Sequence, residues 1–210
     1  MMSKIHKFSI IFIIVSFFVS GCAVIFQKGR RSDIEKIKSL EDELAELRDT
    51  KSLLEERLSK EIGEKQIKVR MEDKGLVITF LAEVLFDSGK AKLREESFEI
   101  IDKVVRVLNE EVPGLNIGIE GHTDNVPIKY SGWKSNWELS SHRALSVLYY
   151  LEDKGIDSTR LSASGFGEHR PVVPNDTPEN RQLNRRVEIV IIPKAVEKIK
   201  SQPATKGIYK

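Results

Sequence analysis

The residues best placed to do chemistry cluster in the middle of the chain. His122 and Asp124 have the His-x-Asp spacing of a metal-ligand pair, and Ser140, Ser141 and His142 bring hydroxyls next to an imidazole. Neither set completes a reaction centre. No further His, Cys or acidic cluster in the sequence pattern completes a metal site, and a nucleophile and its base must converge in space rather than adjoin in sequence. GFGE at Gly165 to Glu168 lacks the glycine spacing of a phosphate cradle. We therefore expect no catalytic residues, no metal and no cofactor. What remains is an acid in a polar loop, Asp124, and a helix arginine 19 positions later, Arg143. By spacing alone Asp124 could be a turn residue bonded to its own backbone, and Arg143 a solvated helix residue. Arg185 and Arg186 could form structural ion pairs with Asp102 or Glu188. Trp133 and Trp137 suit either stacking on a sugar ring or packing at a helix start.

The elements that would position these residues follow from pattern. The 210-residue chain carries 34 Lys and Arg against 32 Asp and Glu, a net charge of +2, with one cysteine and 40% hydrophobic residues. So even a balance offers no basic field for a phosphate backbone, which excludes nucleic acid as the main ligand. One cysteine excludes an internal disulfide. β-rich runs at 67–71 and 76–81, separated by Glu72 to Gly75, predict a hairpin. Phe98, Ile101, Val105 and Leu108 recur at helical spacing. Leu115 to Glu120 alternates as a strand, and a loop follows to Lys134. Ser135 and Glu138 have capping-box spacing, predicting a helix to Lys154 that Gly155 stops. A short strand at 161–164, a helical turn at 178–183 and a strand at 186–192 complete an α/β class, two-layer sandwich.

The ends read differently. Lys4, His6 and Lys7 precede an apolar run from Phe8 to Val19, too short to span a bilayer comfortably. It runs into Val19-Ser20-Gly21-Cys22, which resembles a bacterial lipobox. That resemblance implies a signal peptide over 1–21, acylation at Cys22 and a lipidated linker over 22–31. Ala23 in place of an Asp implies delivery to the outer membrane, with the domain facing the periplasm. Residues 32–63 form a helical spacer about 45 Å long at 1.5 Å per residue. Its Ile37, Leu40, Leu44, Leu47, Leu54 and Leu58 fit a heptad register, with Lys51 at one seam position. A coiled coil making a homo-oligomer and a solvated amphipathic helix lying on the domain or on lipid fit this pattern equally. The domain spans 64–193, and the basic tail over 194–210 is expected to be disordered.

Five stretches then carry a resemblance: LFDSGKAKL (Leu85 to Leu93), IEGHTDN (Ile119 to Asn125), SNWELSSHRA (Ser135 to Ala144), GFGEHRPV (Gly165 to Val172) and NRRVEI (Asn184 to Ile189). In order and spacing they resemble the OmpA-like peptidoglycan-binding domain, and the NVPIKYSGWKSNWELS stretch is similar to the MotB branch. The resemblance implies a non-catalytic binder of the peptidoglycan stem peptide, in which Asp124 receives the ammonium of diaminopimelate and Arg143 its carboxylate. One acid and one planar guanidinium suit such a zwitterion. Gly121, Thr123, Asn136, Leu139 and Ser140 would shape the pocket, with Asn184 and Arg185 at its edge. Together with the lipobox this implies a lipid-anchored tether between outer membrane and wall. A MotB-like flagellar stator component is the alternative, but it needs a full membrane span carrying an acid, and Phe8 to Val19 has neither. A peptidoglycan hydrolase would need the reaction centre that is missing.

Overall fold

The computed structural model describes residues 33–129 and 131–196. The expected signal peptide, Cys22 and the tail beyond residue 196 lie outside the described residues. Within the expected tail, residues 194–196 are helical.

Two compact units divide the chain, Met1–Ala45 and Glu46–Lys210. In the first, residues 33–45 belong to a helix, α1, covering 33–57. Ile34, Ile37, Leu40 and Leu44 are exposed there. The second unit opens inside the same helix, where the heptad positions behave differently. Leu47 and Leu54, with Leu58 just past the helix end, are almost wholly buried and belong to the domain core. The expected boundary at 63/64 therefore falls well inside the compact unit. Of the two readings of the spacer, this half follows packing on the domain.

A second short helix, α2 (Ser59–Gly63), follows. Its Glu61 is buried and accepts a bond from Lys103 at 2.8 Å.

The sheet contains β1 (Ile67–Glu72), β2 (Gly75–Leu81), β3 (Asn116–His122), β4 (Leu161–Gly165) and β5 (Arg186–Ile192), in the order β1-β2-β5-β3-β4. β1 and β2 form the expected hairpin. β5, last in the chain, inserts antiparallel between β2 and β3, while β3 and β4 run parallel. A parallel pair needs a long crossover, and α5 (Asn136–Asp153) lies within it. Between the hairpin and β3 come α3 (Ala82–Leu85) and α4 (Glu95–Glu110). α6 (Pro178–Asn184) leads into β5.

Strand residues alternate between the two faces of the sheet. Leu76, Ile78 and Phe80 of β2, Ile117 and Ile119 of β3, and Val187, Ile189 and Ile191 of β5 share one core with Ile101, Val104 and Leu108 of α4 and Ala144, Val147 and Leu151 of α5. This is the expected two-layer α/β arrangement. Tyr150 stacks on Phe98 at 4.9 Å, and its hydroxyl donates to Asp102, which also pairs with Lys154. Asp102 is thus engaged away from Arg185 and Arg186.

Candidate binding site at the end of strand β3

Asp124 lies two residues beyond the C-terminal end of β3, and Arg143 lies on the second turn of α5. What brings them together is an unusually close approach of helix to sheet. A Cβ at Gly121 would stand 2.0 Å from the Ser140 carbonyl oxygen, and one at Gly165 would stand 2.2 Å from Ser141 Oγ. Only glycine lets α5 settle this closely on β3 and β4. The helix start is fixed by Ser135, whose side chain accepts from Glu138 N at 3.3 Å. Glu138 answers by accepting from the Lys134 backbone at 2.5 Å, one residue before the cap.

The two charged groups sit in contrasting environments. Asp124 is 6% exposed; its Oδ1 accepts from Val126 N at 3.0 Å and its Oδ2 from Arg185 Nη1 at 2.6 Å. It therefore makes the local turn bond anticipated from its residue type and an ion pair as well. Arg143 is 4% exposed, so it is no solvated helix residue. Its Nε donates to the Lys90 carbonyl at 2.9 Å, and its guanidinium lies 5.2 Å from the Phe86 ring centroid. Among the described residues no carboxylate makes an ion pair with it. Burial first, and then repulsion from Arg185, lower its pKa to about 10 against the favourable field of Asp124. A buried cation left in this state is a strong anion receptor.

Both groups line a cavity of about 580 Å³. Thr123, Asn136, Leu139 and Arg185 also line it, so six of the nine expected binding residues converge. Asn136 ties the rim by donating to the carbonyls of Asp124 and Val126 and to Glu168 at 2.7 Å. The other three expected residues support the cavity without lining it. Gly121 gives α5 its close seat. Ser140 Oγ accepts from Gly167 N at 2.9 Å and donates to the Trp137 carbonyl. The wholly buried Asn184 accepts from Val172 N and Val173 N and donates to the Val173 carbonyl and Asn175, holding the 172–175 loop.

Part of the lining was left unassigned by sequence reasoning: Phe86, Asp87, Ser88 and Gly89, with Val126, Pro127 and Lys129. Its signal lay in LFDSGKAKL, which aided recognition but supplied no candidate site residue. Trp133 holds this stretch by donating from Nε1 to the Gly89 carbonyl at 2.8 Å. It also packs at 4.8 Å on His142. Trp137, at 49% exposure, stacks on His169.

His122 and Asp124 do not form the metal pair their spacing suggests. Asp124 faces the cavity, whereas His122 stacks on Phe166 and approaches Glu120.

A model of the OmpA family matches residues 85–185, which include most of the cavity lining. The chain belongs to the OmpA family. Motility protein B of Bacillus subtilis is 41% identical over 150 residues, 71% of this chain and 57% of that protein. The uncharacterized protein YtxE of the same organism is 33% identical over 77% of this chain and 68% of its own length. Among solved structures, a putative MotB-like protein from Desulfovibrio vulgaris superposes with a TM-score of 0.65 at 31% identity, covering 70% of this chain and 94% of its own. The cell wall anchor of the type VI secretion system from Pseudomonas aeruginosa gives 0.61 at 31% identity, over 67% and 96%. This chain thus spans little more than half of Motility protein B itself.

Proposed function

We propose that this OmpA-family protein binds the peptidoglycan stem peptide without cleaving it, gripping the free end of diaminopimelate in the cavity below β3. The observation that carries this reading is the buried Arg143 guanidinium, which faces the cavity with no carboxylate partner among the described residues. A ligand carboxylate supplies the missing anion through two parallel bonds. Asp124 lies in the same cavity as the acceptor for an ammonium, so both charges of a zwitterion find partners. The naming of one structural relative as a cell wall anchor supports the same partner.

The N-terminal sequence supports a lipid anchor at Cys22, with the domain working in the periplasm as a tether to the outer membrane. The chain's similarity to Motility protein B favours a second reading, a stator-type anchor at the inner membrane. The apolar run Phe8 to Val19 carries no acidic residue for that role.

The deciding experiment is sedimentation of the chain with purified sacculi, with and without free diaminopimelate as competitor. A fragment must start no later than Glu46, because Leu47, Leu54 and Leu58 belong to the core. Binding displaced by diaminopimelate is the expected result. A folded chain that stays in solution overturns the proposal.

A further inference from the structure

A second constellation lies on strands β3 and β5, apart from the binding cavity. Glu120 of β3 and Glu188 of β5 are register partners, so two carboxylates face each other directly across antiparallel strands. Such a like-charge pair is destabilising unless a cation joins it. Lys74, from the β1–β2 turn, supplies one: its Nζ lies 2.7 Å from Glu120 Oε2 and also contacts Glu188 Oε2. Arg186 holds the other oxygen, with Nε 2.5 Å from Glu188 Oε1.

His122 completes the group. It is 1% exposed, and neither ring nitrogen has a hydrogen-bond partner among the described residues. A buried imidazole with two unsatisfied nitrogens calls for a specific explanation. Its Nε2 points toward Glu120 Oε2, 3.8 Å away. One ligand atom from each of Glu120, His122 and Glu188 lies within 4.8 Å of the others.

We propose that Glu120, His122 and Glu188 form a divalent zinc-class metal site in which the metal and the Lys74 ammonium compete for one position. The ligand set is one imidazole and two carboxylates, which suits Zn²⁺, with a fourth position left for water. Zinc bonds of about 2.0–2.2 Å require the side chains to close by roughly 1 Å, a shift within the reach of two glutamates. Arg186 stays on Glu188 Oε1, leaving Oε2 for the metal. Lys74 is the displaceable partner: it sits on a turn, its side chain is 28% exposed, and its flexible stem lets the ammonium swing into water. Glu188 also lines a neighbouring cavity of about 240 Å³, with Glu72 and the cations Lys65, Lys68, Arg70 and Arg186.

The test is calorimetric titration of the full chain in detergent with ZnCl₂, alongside Lys74→Met and the double variant Lys74→Met, His122→Ala. Removing the competing ammonium should tighten zinc binding about tenfold or more, to one equivalent. Adding His122→Ala should remove that binding. If the double variant does not fold, the His122 imidazole NMR resonances in Lys74→Met report instead, and they should shift with zinc. A folded Lys74→Met that takes up no zinc, zinc uptake insensitive to His122→Ala, or imidazole resonances unmoved by zinc each overturn the site.

Discussion

Arg185 Nη1 donates to Asp124 Oδ2 at 2.6 Å, so the acid expected to meet a ligand's ammonium already holds a cation. Arg185 is 38% exposed in its side chain and Asp124 is 9%, which makes the arginine the movable member of the pair. Binding of an ammonium therefore means sharing or exchanging a partner at Asp124. At Arg143 a ligand meets a group that has no ion-paired acid among the described residues to give up.

Arg143→Ala should accordingly weaken sacculus binding at least tenfold. The fold should lose only about 1 kcal/mol for the bond to the Lys90 carbonyl. Arg143→Lys keeps the charge but loses the planar fork, and should recover only part of the affinity. Sedimentation isotherms beside thermal melts check both, and loss of folding in step with binding would make Arg143 a structural residue.

Gly121→Ala should destabilise the domain by about 3 kcal/mol, because its new methyl meets the Ser140 carbonyl oxygen. Urea denaturation measures this. A midpoint near that of the parent protein would mean that α5 is not held by its contact with β3.

Leu54→Ala should cost about 2 to 5 kcal/mol, as for other buried leucines. The exposed heptad leucine Leu40 should tolerate the same change with no effect on the domain's stability. Comparing the two guanidinium midpoints separates a core helix from a detached spacer.

Acid should weaken the attachment of α2 to α4. Burial is the largest single influence and works to raise the Glu61 pKa, but the Lys103 bond, a backbone hydrogen bond and the charges of Lys103 and Lys60 together outweigh it, and the net shift is downward. With an unfolded value of about 4.3, the unfolded chain binds the proton first as pH falls. The contribution is present above that value and is lost as pH drops through the lower folded value. Glu61→Gln should flatten this acid limb in melting temperatures followed from pH 6 to pH 2. An unchanged slope would remove Glu61 from the account.

Cys22→Ser should release the protein from the membrane fraction of its host. Continued pelleting with membranes would remove the lipid anchor from the proposal.

The strands and long helices were legible in the sequence because their apolar spacing is local. Ser135 and Glu138 likewise announced the start of α5. Three features were not legible, for different reasons. Leu47 and Leu54 share one heptad pattern with Leu40 and Leu44, and periodicity shows which residues share a stripe without showing what covers it. Phe86 to Gly89 lie some 35 residues before Asp124 in the chain, and only the folding of α3 and the following loop brings them into the same cavity. Arg143 gave no local sign of burial, since its acceptor is a backbone carbonyl at Lys90.

The path of β5 bears on how the domain yields. This last strand lies between the hairpin and the β3–β4 pair, with hydrogen-bonded partners on both sides. The sheet therefore cannot close until almost the whole chain is available, and an N-terminal fragment lacking residues 186–192 leaves two separate halves. The domain should assemble late and cooperatively, and a lesion near its C-terminus is as damaging as one at its centre.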